Sequence, residues 1–311
     1  MSYTRPYILF NRHLETIFPA LFRRVEPVIA QPDRITTPDK DFLDLYWATQ
    51  GADKLVILCH GLEGNARRPY MLGMARAFYL YGFDVLTWDY RGCGEEMNRT
   101  LRFYHSGATD DLHLVVRHAA AKGYRQINLV GFSLGGNIAL KYLGEHHENA
   151  VRIHGAVAFS VPMHLASSCR KISRPENLVY SHRFLRSLKD KVMRKSRLMD
   201  GLDISPLPGI RTLVQFDDQY TAPLHGFENA SDYYNKCSSI RFLDAIETPT
   251  LIVNARNDPF LSAECFPRLE EHDFIRFEAP LQGGHAGFTQ FSKNGLYWSE
   301  ERAVRFIAEL P

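Results

Sequence analysis

The sequence predicts an α/β fold: a mostly parallel central sheet with helices on both faces and a helical cap inserted before the last strands. Three observations carry this. Six short apolar runs recur along the chain, with helical patterns between several of them. One run, Ile127–Val130, turns into a helix-like segment through Gly131-Phe132-Ser133-Leu134-Gly135. The alternation breaks from about residue 162 to residue 240, and strand signals resume only at Pro249.

Residues 34–48 (RITTPDKDFLDLYWA) read as a leading antiparallel hairpin. Leu55–Cys59 and Phe83–Trp88 are buried strands. The helix between them has Pro69 near its start and Gly82 past its end, with Met71, Met74, Ala75, Phe78 and Tyr79 on one face. The next helix takes Thr109 as N-cap, buries Leu112, Val115, Val116, Ala119 and Ala120, and stops at Gly123. Ile127–Val130, Ala156–Val161, Thr250–Val253 and Phe274–Phe277 complete the strands. The core is therefore expected over residues 1–161 and 241–311, and the cap over 162–240.

Composition narrows the class. The 311 residues are 45% hydrophobic and 23% charged, with a formal net charge of +2, so nothing argues for a nucleic-acid partner. Five scattered cysteines, none at CxxC spacing, suggest no disulfide framework and a reducing compartment. No stretch approaches the ~18 apolar residues of a membrane span, and the first 24 residues lack the apolar core of a signal peptide. A cytoplasmic protein is expected.

In an open parallel sheet, ligands bind beyond the carboxyl ends of the strands. Three reactive residues follow strands there: Ser133, Asp258 in ARNDPF, and His285 in GGHAGF. A serine hydroxyl is a weak nucleophile at neutral pH and needs a base, here His285. Asp258 would fix the imidazole tautomer and stabilise its protonated form. The Ser–Asp–His order is the one expected of the α/β-hydrolase arrangement. Backbone N–H groups of Leu134 and of Leu62, in His60-Gly61-Leu62-Glu63-Gly64, are the expected oxyanion donors.

HGLEG, WDYRGCG, GFSLGGN, ARNDPF and GGHAGF together resemble the α/β-hydrolases. NRHLETIFPAL, YHSGATDDL and FDDQYTAPLHGFENASDYYNKCSS narrow the resemblance to the YheT-type esterase branch, related to the eukaryotic ABHD lipases. The resemblance implies ester hydrolysis by Ser133, Asp258 and His285 and supplies no defined substrate. An acyl, lipid-like ester is the expected ligand. Two other readings use the same pocket: an acyltransferase, and a catalytically inactive binding protein.

Weaker signals are set against simpler ones. His105 and Asp110 form an H-x4-D pair, a spacing associated with some acyltransferases, but a carboxylate in a first helical turn also suits the helix dipole. Asp217 and Asp218 are expected in the hinge where the cap returns to the core. His146-His147 and His113/His118 lack a coherent ligand set, and HGLEG lacks the Lys-Ser/Thr of a phosphate loop, so no metal and no cofactor are expected. Residues 183–197 (RFLRSLKDKVMRKSR) carry seven Lys or Arg and one Asp, with Leu185, Leu188 and Val192, followed by Leu198 and Met199, as an apolar stripe. That is a solvated cap helix or a basic amphipathic element meeting an anionic membrane surface. Oligomeric state has no sequence signal.

Overall fold

The computed structural model describes residues 2–145, 151–269 and 271–311. Among them the strands are β1 (Gln31–Thr36), β2 (Phe42–Ala48), β3 (Lys54–Cys59), β4 (Asp84–Asp89), β5 (Gln126–Phe132), β6 (Gly155–Phe159), β7 (Thr250–Val253) and β8 (Ile275–Glu278). They form one sheet in the order β1-β2-β4-β3-β5-β6-β7-β8. β1 and β2 pair antiparallel, as does β2 with β4; the remaining pairs are parallel.

Helices α1 (Arg12–Phe22), α2 (Pro69–Leu80), α3 (Thr109–Ala120) and α4 (Leu134–Gly144) lie among or before the core strands. Side chains on the central strands alternate between the two faces. Val56 and Leu58 of β3 pack in a cluster with Met71, Met74 and Phe78 of α2, whereas Leu55 and Ile57 join Leu112, Val115 and Val116 of α3. The final helix, which follows β8, joins the first of these clusters through Ala303, Val304 and Ile307.

Between β6 and β7 the structure is helical. It contains α5 (Leu165–Ile172), α6 (Leu178–Ser196), α7 (Leu213–Phe216), α8 (Ala222–Leu224) and α9 (Ala230–Cys237). The last helix, α10, spans Trp298–Ala308. A π-helical turn, Asp217–Thr221, joins α7 to α8.

Some local expectations shift. α2 begins at Pro69 and is ended by Gly82 at φ +82°. Thr109 is the first residue of α3 rather than its N-cap; Ala108 takes that place, and the Thr109 hydroxyl donates to Glu145 at 2.6 Å. β6 stops at Phe159 because Ser160 turns to φ +53° and Val161 N–H donates to the Asn254 side chain instead of a ladder. The apolar stripe of α6 ends with the helix: Leu185 and Val192 are buried, but Leu198 lies beyond it and is exposed.

Candidate active site

Ser133 stands between β5 and α4 at φ +53°, ψ −120°, a conformation that costs a non-glycine residue on the order of 1–3 kcal/mol. Its neighbours make the turn possible. A Cβ on Gly131 would come within 2.5 Å of the Gly135 carbonyl oxygen, and one on Gly135 within 2.3 Å of the Cys59 carbonyl oxygen. Ser133 N–H donates to the Phe159 carbonyl at 2.8 Å, which ties the turn to the end of β6.

Asp258 and His285 come together. Asp258 follows β7 in a turn closed by its own N–H to the Ala255 carbonyl, and its side chain is fully buried. Oδ1 accepts the Phe260 N–H at 2.8 Å, and Oδ2 lies 2.8 Å from His285 Nδ1. A carboxylate at Nδ1 requires the ring proton there, which leaves Nε2 with a lone pair. The His285 side chain is 11% exposed, its ring 4.2 Å from that of Phe260.

Ser133 and His285 share two cavities, of about 140 and 340 Å³. No hydrogen bond joins Ser133 Oγ to His285 Nε2; such contacts are often long before substrate arrives. Leu62 lines both cavities and Leu134 the smaller. Leu134 is the first residue of α4, where a helix offers its N–H no internal acceptor. Leu62 lies in a turn closed by Gly64 N–H to the Gly61 carbonyl at 3.0 Å, and a Cβ on Gly61 would stand 3.3 Å from Ser133 Cβ.

The turn carrying Leu62 is braced from two sides. His60 is buried, its Nδ1 bonded to the Gly61 carbonyl and its Nε2 accepting from Tyr90 N–H; burial drives it down to about 3, so it is neutral. Glu63 bonds Tyr104, Ser187 and Lys191, the last two on α6. Burial opposes the Glu63 charge, yet the Lys191 ammonium holds its carboxyl below the ordinary range. Two lysines of the basic stretch are therefore inside the protein: Lys191, and Lys195, which donates to the Thr100 and Arg102 carbonyls and which burial lowers to about 7.

Sequence reasoning missed the support for His285. Asn11 caps α1, accepting from His13 and Leu14 N–H. One turn on, buried Glu15 accepts from Gly283 N–H at 2.9 Å and from Asn257 Nδ2 at 2.7 Å. Asn257 Oδ1 in turn accepts Gly284 N–H, and Thr16 Oγ1 accepts His285 N–H at 3.0 Å. The loop lies so close that a Cβ on Gly287 would fall 2.2 Å from the Glu15 carbonyl oxygen. NRHLETIFPAL was the available signal, legible as a resemblance and silent about this contact.

Asp217 and Asp218 are not at the return to the core. Asp217 accepts from Thr221 and Tyr234 within the helical segment, and Asp218 accepts Ala230 N–H. The return runs past Cys237 and Ser239, which are held on either side of the Asn137 side chain. His105 and Asp110 are not joined either: His105 lines the smaller cavity, while exposed Asp110 pairs with Arg102. His113 bonds Tyr142 and His118 bonds Asp33; His146-His147 lie outside the described residues. All five cysteines are free. No helix among the described residues is long and apolar enough to cross a membrane.

A family described as "alpha/beta hydrolase fold" matches residues 54–176. The "Putative esterase YheT" of Escherichia coli K12 is 34% identical over 288 residues, covering 89% of this chain and 84% of that protein. A monoacylglycerol lipase of Saccharomyces cerevisiae is 28% identical, over 82% of this chain and 59% of its own. Among solved structures, the Pyrococcus furiosus esterase Pf2001 superposes with a TM-score of 0.63 at 17% identity, covering 93% of this chain and 99% of its own; at that identity the likeness concerns the fold.

Proposed function

This chain belongs to the α/β-hydrolase family, in its YheT-type branch related to the ABHD lipases, and from that premise we propose that it is a serine carboxylester hydrolase acting through an acyl-enzyme on Ser133. One observation carries the reading. His285, fixed by Asp258, opens onto the same cavities as a serine held in a left-handed turn.

The chemistry follows. His285 Nε2 takes the Ser133 proton as Oγ attacks the ester carbonyl. The carbonyl oxygen becomes an oxyanion facing the N–H groups of Leu62 and Leu134, each such donor being worth roughly 3–4 kcal/mol. The intermediate collapses, the alkoxide leaves with the proton from Nε2, and the acyl group stays on Oγ. Water, deprotonated by the same histidine, then releases the carboxylic acid and restores the serine. The substrate is a small acyl ester of lipid-like character, and residues 162–240 act as the cap that shapes its site.

A fluorophosphonate probe tests the reading. Native protein is expected to label and Ser133→Ala is not. A folded native protein that stays unlabelled would favour a binding protein with the same pocket.

The cap also supports a peripheral membrane contact. Arg183, Arg186, Arg194 and Arg197 of the basic stretch are exposed, while Lys189 donates to the Ile210 carbonyl. Co-sedimentation with anionic vesicles is expected to weaken as salt rises and to be lost when Arg186, Lys189 and Arg194 become Gln. Equal lack of binding to neutral and anionic vesicles would remove the membrane role.

A further inference from the structure

The smaller cavity carries polar groups that the ester chemistry leaves unused. Asp217 and His105 line it together with Ser133 and His285. Asp217 stands on the π-helical turn Asp217–Thr221, a distortion frequent at functional sites. Its Oδ1 accepts from Thr221 Oγ1 and its Oδ2 from the Tyr234 hydroxyl, both at 2.6 Å. Each carboxylate oxygen keeps a second acceptor position. Burial raises this carboxyl to about 6, so at neutral pH it is mostly ionised within a wall built largely of Leu165, Ile172, Leu213 and Phe260. Placing a charge there is costly, and a donor on a bound molecule would offset that cost.

His105 supplies the complement. Its Nδ1 accepts Gly107 N–H at 3.1 Å, and burial keeps the ring neutral, so its proton resides on Nε2. No acceptor for that N–H is found among the described residues. Among the groups lining the cavity, Asp217 thus supplies an acceptor and His105 a donor, which is what a hydroxyl group requires.

We infer that the smaller cavity is a subsite for a hydroxyl-bearing arm of the ester, with Asp217 accepting from a hydroxyl and His105 donating to one. The inference rests on the ester-hydrolase reading. At about 140 Å³ the space resembles one that holds a benzene molecule, which limits the arm to about six heavy atoms. The larger cavity is left for the rest of the ester.

The hydroxyl can belong to the acyl group or to the alcohol, and paired esters separate the two. p-Nitrophenyl 3-hydroxybutyrate against p-nitrophenyl butyrate tests the acyl side; 1,3-propanediol monobutyrate against propyl butyrate tests the alcohol side. In one pair the hydroxylated member is expected to be favoured by at least about tenfold in kcat/KM, because a site built around a hydroxyl rejects the analogue lacking it. That ratio should drop to about one in Asp217→Leu and in His105→Phe. Asp217→Asn, which keeps the shape and one acceptor, should fall between and serves if Asp217→Leu does not fold. Equal rates within both pairs, or a preference that survives both substitutions, would overturn the subsite while leaving the hydrolase intact. Failure to turn over any of the four esters would overturn the hydrolase reading and the subsite with it.

Discussion

Asp258→Asn is expected to lower p-nitrophenyl ester turnover by about 10⁴-fold in a protein that still folds. Asp258 Oδ1 is already committed to Phe260 N–H, and only Oδ2 faces His285 Nδ1. In the asparagine the amide oxygen must keep the Phe260 bond, so the NH₂ group turns toward Nδ1. Nδ1 then becomes the acceptor and the ring proton moves to Nε2, which no longer has a lone pair for the Ser133 proton. His285→Ala removes the base outright and should fall at least about a hundredfold. Steady-state kinetics on both variants, with circular dichroism to verify folding, checks this. A nearly silent Asp258→Asn would mean that another group orients the histidine.

The next largest effect is expected from α1, which carries none of the reacting groups but holds the loop of His285. Glu15→Ala leaves Gly283 N–H and the Asn257 amide without their acceptor, at about 1–3 kcal/mol for each buried group. Thr16→Val removes the acceptor for His285 N–H. Displacing the imidazole by about 1 Å can cost on the order of 10²-fold. Glu15→Ala is therefore expected to lose roughly ten- to a hundredfold in kcat with little change in KM. Thr16→Val should lose less, and Thr16→Ser, which restores the hydroxyl, should recover it. A drop in melting temperature with kcat intact would reduce α1 to a stabilising element.

The legible part of the site is local. Gly131 and Gly135 each lie two residues from Ser133, and the left-handed turn there depends on neither of them carrying a Cβ, which would strike the Gly135 and Cys59 carbonyls. Asp258 and His285 were legible for a related reason: strand ends in a parallel sheet converge, so a reactive residue just past an apolar run is placed by the topology. Thr109 does not cap α3, because Ala108 occupies the capping position and the hydroxyl has a distant carboxylate to bond. The basic stretch reads as an amphipathic helix with its basic residues in solvent or at a membrane surface, whereas Lys191 and Lys195 turn inward to partners far along the chain.

The sequence by itself determined the succession of strands, the helices between β3 and β5, the turn at Ser133, and which three side chains follow strands, but neither α1 nor α10. These depend on hydrophobic period, on steric limits at single residues and on the handedness of parallel connections, all written into neighbouring residues. Only the tertiary structure decided what holds those side chains in place and what surrounds them. Glu15 meets Gly283 across 268 positions and Lys191 meets Glu63 across 128, and Asp217 enters the wall of the cavity that Ser133 opens onto. Such pairings arise because a buried charge or N–H must find a partner wherever packing brings one, and no local pattern records where that will be.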